Sequence, residues 1–320
     1  MTPPRRLTAA DVAAARPIVA AHLRPTPLRR CFALRPHDAW LKLECWQPTG
    51  SFKVRGALTN VATLSAEERG RGIVAASAGN HALGVAFAAQ AIGGVRATVF
   101  VPETAPRAKV DKLRAFAVEV VVGGRTYDDA HAAALERVAR DGATYVHAFE
   151  DPRTAAGQGT VAPEIADDLP KVGTVVVPVG GGGLISGIAV ALKDRLPDVR
   201  IVAVQPDASP ALRDSLRAGR PLLEYDAAPT LADGLAGGIG EIVWAHRDLI
   251  HDVVTVSEAE IEAAIFALAA HDQVIAEGSA ATGVAAVAAG RVDGRGRPIA
   301  IVVTGGNLDA ATLARILSRA

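Results

Sequence analysis

Cysteine, methionine and aromatic residues are scarce in this 320-residue chain. It has two cysteines and one methionine, and aromatic residues make up 4% of it. Neither Cys31 nor Cys45 lies in a CxxC or Cys/His spacing. A structural zinc site is therefore not expected, and a reducing compartment is the simpler interpretation of the two cysteines.

An excess of charge of one sign and long apolar runs are also absent. Lys plus Arg and Asp plus Glu number 34 each, so no overall field would attract nucleic acid or an anionic membrane. No uninterrupted apolar stretch of about 18 residues occurs, and Asp11, Arg16 and His22 interrupt the N-terminal segment. We expect no nucleic-acid partner, no membrane span and a cytoplasmic location.

What the chain has instead is a repeated alternation of short apolar runs and alanine-rich helical stretches. Helical patterns begin at about Asn80, Pro106 and Thr126. The apolar runs are Ile73–Ala76, Arg96–Val101, Val118–Val122, Thr144–His147, Thr174–Val179, Arg200–Val204, Asp252–Val256 and Pro298–Val303. Apolar strands separated by amphipathic helices indicate parallel strands covered on both faces. The pattern predicts an open, doubly wound α/β fold, which binds ligands beyond the carboxyl ends of its strands.

The segment 48–57 (PTGSFKVRGA) places a lysine in the first turn of a predicted helix. Pro48 and Gly50 favour a turn, and Ser51 can cap a helix that begins after it. A partly desolvated lysine loses its proton more easily and can form a Schiff base, which makes Lys53 a candidate catalytic residue. Taken alone, the segment is more often explained by a solvated lysine at a helix start.

Polar or glycine-rich segments follow three of the predicted strands. Gly180–Gly183 open a helix and could cradle a phosphate with their N–H groups, or form only a tight turn. The segment 77–81 (SAGNH) could bind a carboxylate through backbone N–H groups. Thr304 ends the last run with a hydroxyl able to face a ring nitrogen. Together these strand ends are what a cofactor cleft requires.

The motifs resemble those of the fold type II pyridoxal-phosphate (PLP) enzymes, in the branch of serine/threonine dehydratases and serine racemases. In chain order they are PTGSFKVRGA (48–57), SAGNH (77–81), AGQGT (156–160), GGGG (180–183) and TGGN (304–307). The resemblance runs from about Thr26 to the final helix. It implies an α/β fold with two open, doubly wound, mostly parallel sheets flanked by helices, and PLP in the cleft between them. It also implies a large domain (1–71 plus 150–320), a small domain (72–149) and a homodimer. Because the last motif lies close to Ala320, we expect no C-terminal regulatory domain.

The resemblance assigns roles at the candidate site. Lys53 would hold PLP covalently and move the α-proton of the substrate, Phe52 would pack beside the ring, and Thr304 would face the pyridine nitrogen. The phosphate would be held by the backbone of Gly180, Gly181, Gly182 and Gly183. The substrate carboxylate would be bound by Ser77, Ala78, Gly79, Asn80 and His81, and Asn80 would also hydrogen-bond the 3-hydroxyl of the cofactor.

The implied activity is a lyase that dehydrates and deaminates L-threonine or L-serine to 2-oxobutanoate or pyruvate and ammonia. Racemases of the family carry a serine at the position of Ala78, and alanine cannot exchange a proton, so dehydration is favoured over serine racemisation. Thr304 is neutral and leaves the ring a weaker electron sink, which favours prompt loss of a β leaving group. The alternatives are a dehydratase of another 3-hydroxy amino acid (3-hydroxyaspartate or an aromatic analogue), a serine racemase, and a PLP- or nucleotide-binding protein without turnover.

Metal-dependent relatives carry a glutamate after the strand that here ends in Val204, and an aspartate six residues later. This chain has Gln205 and Ala211 at those positions. Because a hard divalent cation prefers carboxylate oxygens, we expect no divalent metal site here. The binding of a monovalent ion is left open by these residues.

Overall fold

The protein is described by a computed structural model over residues 6–105 and 107–318, which form ten strands in two sheets. The strands are β1 (Leu28–Arg30), β2 (Ala39–Lys42), β3 (Ile73–Ala76), β4 (Ala97–Val101), β5 (Glu119–Val122), β6 (Thr144–Tyr145), β7 (Thr174–Pro178), β8 (Arg200–Pro206), β9 (Asp252–Val256) and β10 (Ile299–Val302). One sheet has the order β1-β2-β10-β7-β8-β9 and the other β5-β4-β3-β6. Every pair is parallel except β1 with β2. The prediction of two mostly parallel sheets is confirmed.

The helices cover the sheets and connect the parallel strands. They are α1 (Ala9–Ala20), α2 (Lys53–Ala62), α3 (Ala66–Arg71), α4 (Asn80–Ile92), α5 (Arg107–Arg114), α6 (Tyr127–Asp141), α7 (Pro152–Gly159), α8 (Val161–Asp168), α9 (Gly183–Arg195), α10 (Ala211–Ala218), α11 (Glu241–Ala245), α12 (Glu258–Ala267), α13 (Gly278–Ala288) and α14 (Ala310–Leu317). Capping boxes begin α6 at Thr126 and α12 at Ser257. Within the part of the chain that the structure describes, no helix is long and apolar enough to cross a membrane.

The core of the larger sheet lies on both of its faces. Along β7, Val175 and Val177 pack in one apolar cluster with Ile188 of α9. Val176 points to the opposite face and packs in a second cluster with Val284 of α13. Successive strand residues point to opposite faces, so a strand covered on both sides needs an uninterrupted apolar sequence.

The observed elements differ from the predicted ones at a few places. Strands β1 and β2 were not predicted, and only two residues of the run Thr144–His147 form a strand. Helix α2 begins at Lys53, but Ser51 does not cap it. Ser51 instead bridges the backbone of Gly305, and its buried Oγ has no hydrogen-bond partner among the described residues. Helix α5 begins at Arg107; Pro106, and the ends 1–5 and 319–320 of the predicted large domain, lie outside the described residues.

Candidate active site

A cleft of about 1710 Å³ is lined by the carboxyl ends of strands from both sheets. Ala76 ends β3 of the smaller sheet, Pro178 ends β7 of the larger sheet, and Thr304 follows β10. Ligands of open α/β sheets bind at this edge of the strands. The cleft brings together all the residues that the sequence predicted for cofactor and substrate. Their individual roles remain predictions.

Lys53 is the first residue of α2 and reaches into the cleft. Its Nζ donates a hydrogen bond to the Ala148 carbonyl at 3.0 Å and lies 5.2 Å from the centroid of the Phe52 ring. Burial lowers the pKa of Lys53 to about 8, against the opposing effect of the negative charge on Glu277. An amine with this pKa is partly neutral near neutral pH, and a neutral amine is a nucleophile and a base.

The glycine loop, residues Gly180–Gly183, connects β7 to the N-terminus of α9. Gly182 has a φ of 90°, a conformation that glycine adopts without strain. A Cβ on Gly181 would lie 2.3 Å from the ring of Phe149, so this position has no room for a side chain. None of the four loop N–H groups donates a hydrogen bond to another described residue. Free N–H donors at the positive end of a helix form an anion site.

The segment Ser77–His81 comprises the turn that follows β3 and the first two residues of α4, and it also lines the cleft. The Ser77 hydroxyl accepts a hydrogen bond from Gly79 N at 3.1 Å, which shapes the turn. A Cβ on Gly79 would meet no atom within 4 Å, so the backbone there is open to a ligand. His81 Nε2 lies 2.8 Å from the Val146 carbonyl, and burial together with Lys53 lowers the pKa of His81 to about 3. His81 is therefore neutral.

Thr304 and Phe52 lie next to each other in the lining of the cleft. The backbone N–H of Phe52 donates to the Thr304 carbonyl at 3.0 Å, which joins the start of α2 to the end of β10. Thr304 is 4% exposed and lines the cleft. A buried threonine places a neutral hydroxyl, and no charge, at this position.

The chemistry of this donor set fits PLP. The unpartnered N–H groups of Gly180–Gly183 suit a phosphate, the Lys53 amine suits an aldehyde, and the Thr304 hydroxyl suits a ring nitrogen. The cleft is also lined by the Ser77–His81 turn, which starts a 13-residue helix and suits a carboxylate. A phosphate-bearing aldehyde and an amino acid therefore find complementary groups in one cleft.

The charged residues of the cleft that sequence reasoning missed include Glu277, Asp233 and Lys109. Glu277 precedes α13, and its Oε1 accepts a hydrogen bond from Asn80 Nδ2 at 2.7 Å. Burial and the charge of Asp233 raise the pKa of Glu277 to about 7. Lys109 Nζ lies 3.5 Å from Asp233 Oδ2 across the cleft. The only local signal for Glu277 is an acid within an otherwise apolar segment.

Gln205, at the position where metal-dependent relatives carry a glutamate, is used within the fold. Its Oε1 accepts hydrogen bonds from the N–H groups of Leu212 and Arg213 at 2.9 and 3.2 Å, in the first turn of α10. Its Nε2 donates to the Val179 carbonyl at 3.1 Å. Ala211 is buried at the start of the same helix. Within the described residues, no group of three or more His, Cys, Asp or Glu side chains could hold a metal ion.

Comparison with known proteins agrees with this geometry. Residues 19–305 match the family described as pyridoxal-phosphate dependent enzyme. An L-threonine ammonia-lyase of Thermotoga maritima is 47% identical over 284 residues, which cover 88% of this chain and 70% of the relative. The structure of threonine deaminase isoform 2 from Solanum lycopersicum is similar with a TM-score of 0.91 and 34% identity, covering 97% of this chain and 92% of that one. Maize serine racemase is similar with a TM-score of 0.90 and 30% identity, covering 98% of both chains. The chain belongs to the pyridoxal-phosphate-dependent enzyme family.

Proposed function

We propose that this enzyme is an ammonia-lyase that converts L-threonine, and also L-serine, to 2-oxobutanoate or pyruvate and ammonia. The observation that carries the proposal is the position of Lys53, whose amine with a pKa of about 8 lies in the cleft that the glycine loop and the Ser77–His81 turn also line. Relatives named L-threonine ammonia-lyase at 47% and 42% identity support the substrate class.

Lys53 would perform the proton transfer. Bound PLP supplies the electron sink that makes the Cα proton of an attached amino acid acidic. Lys53 would hold the cofactor, and its Nζ, once released, would take the proton from Cα. The Ala148 carbonyl, 3.0 Å from Nζ, would keep the free amine directed into the cleft. Burial keeps this amine partly neutral, which a base requires.

The two helix N-termini would hold the anionic ends of the cofactor and the substrate. The N–H groups of Gly180–Gly183 would bind the phosphate, and the open backbone at Gly79 in the Ser77–His81 turn would bind the substrate carboxylate. Phe52 would pack against the ring and limit the access of water to Lys53. This arrangement would hold the substrate Cα close to the Lys53 amine.

Ala78 favours elimination over racemisation. Racemisation needs a proton delivered to the face of Cα opposite Lys53, and the methyl group of Ala78 has none to give. We expect L-serine to yield pyruvate far faster than D-serine, and Ala78→Ser to raise the D-serine fraction. Chiral chromatography beside a pyruvate assay measures both. Equal rates of D-serine and pyruvate formation by the wild-type enzyme would show that another residue acts as the second base.

Substrate choice is tested by 2-oxo acid release from a panel of hydroxy amino acids. We expect L-threonine and L-serine to react, and 3-hydroxyaspartate and 3-phenylserine to react poorly. Preferred turnover of 3-hydroxyaspartate or 3-phenylserine would replace the proposed substrate. Cofactor binding without 2-oxo acid release from any of them would refute the lyase and favour a PLP-binding protein without turnover.

We also propose that the enzyme is cytoplasmic and works as a homodimer. Cys31 and Cys45 are both buried and free, which suits a reducing compartment. Large exposed aromatic side chains at Phe32 and Trp46, 46% and 49% exposed, support a contact with a second copy. Sedimentation of the purified holoenzyme tests the dimer, and a monomer at micromolar concentration would contradict it.

A further inference from the structure

A chain of side-chain hydrogen bonds crosses the cleft from α5 to α13. Lys112 Nζ donates to Asn307 Oδ1 at 3.0 Å, and Asn307 Nδ2 donates to Asn80 Oδ1 at 2.7 Å. Asn80 Nδ2 in turn donates to Glu277 Oε1 at 2.7 Å. We call these four residues the amide relay. It joins helices α4 and α5 on the side of the smaller sheet to segments that flank β10 and α13 of the larger one.

The ionic groups at the two ends fix the direction of every bond in the amide relay. An ammonium group can only donate hydrogen bonds, and an ionised carboxylate can only accept them. With Lys112 at one end and Glu277 at the other, neither amide can be flipped without placing like atoms against each other. Asn307 Nδ2 is held further by the Thr49 carbonyl at 2.9 Å. The orientation of the Asn80 amide is therefore set by chemistry at both of its ends.

The Asn80 amide retains one donor after these bonds are made. Its oxygen accepts from Asn307 and one N–H donates to Glu277, while the second N–H has no partner among the described residues. Asn80 lines the cleft together with Lys53 and Thr304. We propose that Glu277 is a positioning residue that, through the amide relay, directs the free N–H of Asn80 at the ring oxygen of PLP beside its aldehyde. The proposal rests on the proposed function only in taking Asn80 as the partner of that oxygen.

Protonation of Glu277 weakens this control. A neutral carboxyl group can donate as well as accept, so it no longer enforces one orientation of the Asn80 amide. Asp233 and burial favour the neutral form, while Lys109, Asn80 and the backbone N–H of Asn307 favour the charged form. Lys53 adds a further positive charge close to Glu277. With its pKa raised to about 7, Glu277 changes charge within the physiological pH range.

Glu277→Gln and Asn307→Asp test the relay in the holoenzyme. Glutamine keeps the size of Glu277 but can also donate, and aspartate at 307 cannot donate to Asn80. Each variant should bind PLP about tenfold more weakly when PLP is titrated into the apoenzyme, because the Asn80 amide is no longer held in the orientation that donates to the ring oxygen of PLP. The visible spectrum of wild-type holoenzyme should change between about pH 6 and about pH 8, and this change should be absent in Glu277→Gln.

Glu260→Gln is the matched control, because Glu260 pairs with Arg291 at 2.7 Å and does not line the cleft. It should leave PLP affinity and the spectrum unchanged. If Glu277→Gln does not fold, Asn307→Asp carries the same test through affinity and spectrum. Wild-type PLP affinity in both relay variants, or a pH-dependent spectrum that persists in Glu277→Gln, would overturn the proposal. A wild-type enzyme that shows the pH-dependent spectrum but releases no 2-oxo acid would contradict the proposed function and support the proposed role of the amide relay.

Discussion

Replacement of Arg55 by methionine should destabilise the fold strongly, and more so at high pH. Arg55 is fully buried in α2, two residues after Lys53, and all five of its N–H groups donate hydrogen bonds. Two pairs of bonds of 2.7 to 2.8 Å bind the carboxylates of Glu44 and Glu164, and the fifth reaches the Thr160 hydroxyl at 3.1 Å. The cluster anchors the start of the helix that carries Lys53.

The magnitude follows from the charges that the substitution leaves behind. Methionine removes one cation and leaves the buried Glu44 and the part-buried Glu164 with Lys42 as the remaining cation, whose Nζ lies 2.5 Å from Glu164 Oε2. Breaking a buried ion pair from one side costs about 3–5 kcal/mol. That is a large part of a total free energy of unfolding of about 5–15 kcal/mol. The urea midpoint should fall by about 1–2 M.

The pH dependence has a definite sign. Burial by itself raises the pKa of Glu44, but the charge and hydrogen bonds of Arg55 outweigh it and lower that pKa below its ordinary value. In the wild type, Glu44 therefore contributes stability above its unfolded pKa, and this is lost as pH falls. In Arg55→Met, only the hydrogen bond from Thr26 and the charge of Lys42 oppose the effect of burial, so the pKa of Glu44 rises. The variant then loses about 1.4 kcal/mol for each pH unit between the unfolded and folded pKa values as pH increases.

Urea denaturation followed by circular dichroism at about pH 5 and about pH 8 measures this difference. The exposed pair of Arg6 with Asp248, whose side chains are 56% and 59% exposed, gives the control variant Arg6→Met, which should cost less than about 1 kcal/mol. The double variant Arg55→Met/Glu44→Gln should recover part of the loss and show little pH dependence. A cost for Arg55→Met that equals that of Arg6→Met, or that does not grow with pH, would refute the reasoning.

Three further predictions concern the cofactor and metals. Lys53→Ala should lose the visible band of bound PLP and nearly all 2-oxo acid production; a borohydride-reducible adduct in this variant would show that another lysine holds the cofactor. Gly181→Asp should lose PLP on dialysis, because its Cβ would lie 2.3 Å from the Phe149 ring and its charge would repel a phosphate. Full retention of PLP would contradict a phosphate site at the glycine loop. EDTA should leave activity largely intact, because Gln205 caps α10; restoration of a lost activity by magnesium or calcium would contradict this.

The sequence predicted those strands whose burial follows from their own residues. Ile299–Val302 and Thr174–Pro178 are buried on both faces, so each reads as an unbroken apolar run. Strand β2 (Ala39–Lys42) was missed because it ends in a lysine, which is almost always exposed. Lys42 is fully buried here because it forms an ion pair with Glu164, which lies in the distant helix α8. A partner 122 residues away in sequence (164 minus 42) leaves no local signal.

The same distinction, between features set by local sequence and features set by distant partners, applies to the candidate site. Backbone N–H groups of a glycine loop or a helix start bind ligands without help from distant residues, so local sequence was enough to predict anion sites at Gly180–Gly183 and Ser77–His81. Lys53 was predicted as the catalytic residue because its surroundings form a specific motif. Glu277 reaches the cleft only through the topology of the larger sheet, and its hydrogen bond to Asn80 joins residues 197 apart. Such a pairing cannot be inferred from spacing along one chain.

Arg55 and Glu277 show how buried charges with different roles can be told apart once a structure is known. Every donor of Arg55 is used inside the protein, so its charge has no capacity left for a ligand, and its loss should appear in the free energy of unfolding. Glu277 lines the cleft and has a pKa raised to about 7, which means that its charge is not fully compensated by the protein. A buried carboxyl group with a raised pKa is a candidate functional residue and does not stabilise the fold by its charge. Because ionisation of Glu277 is disfavoured in the fold, Glu277→Gln should stabilise the apoprotein above about pH 7 while weakening PLP binding. Arg55→Met should do the reverse and destabilise the protein most in that same range.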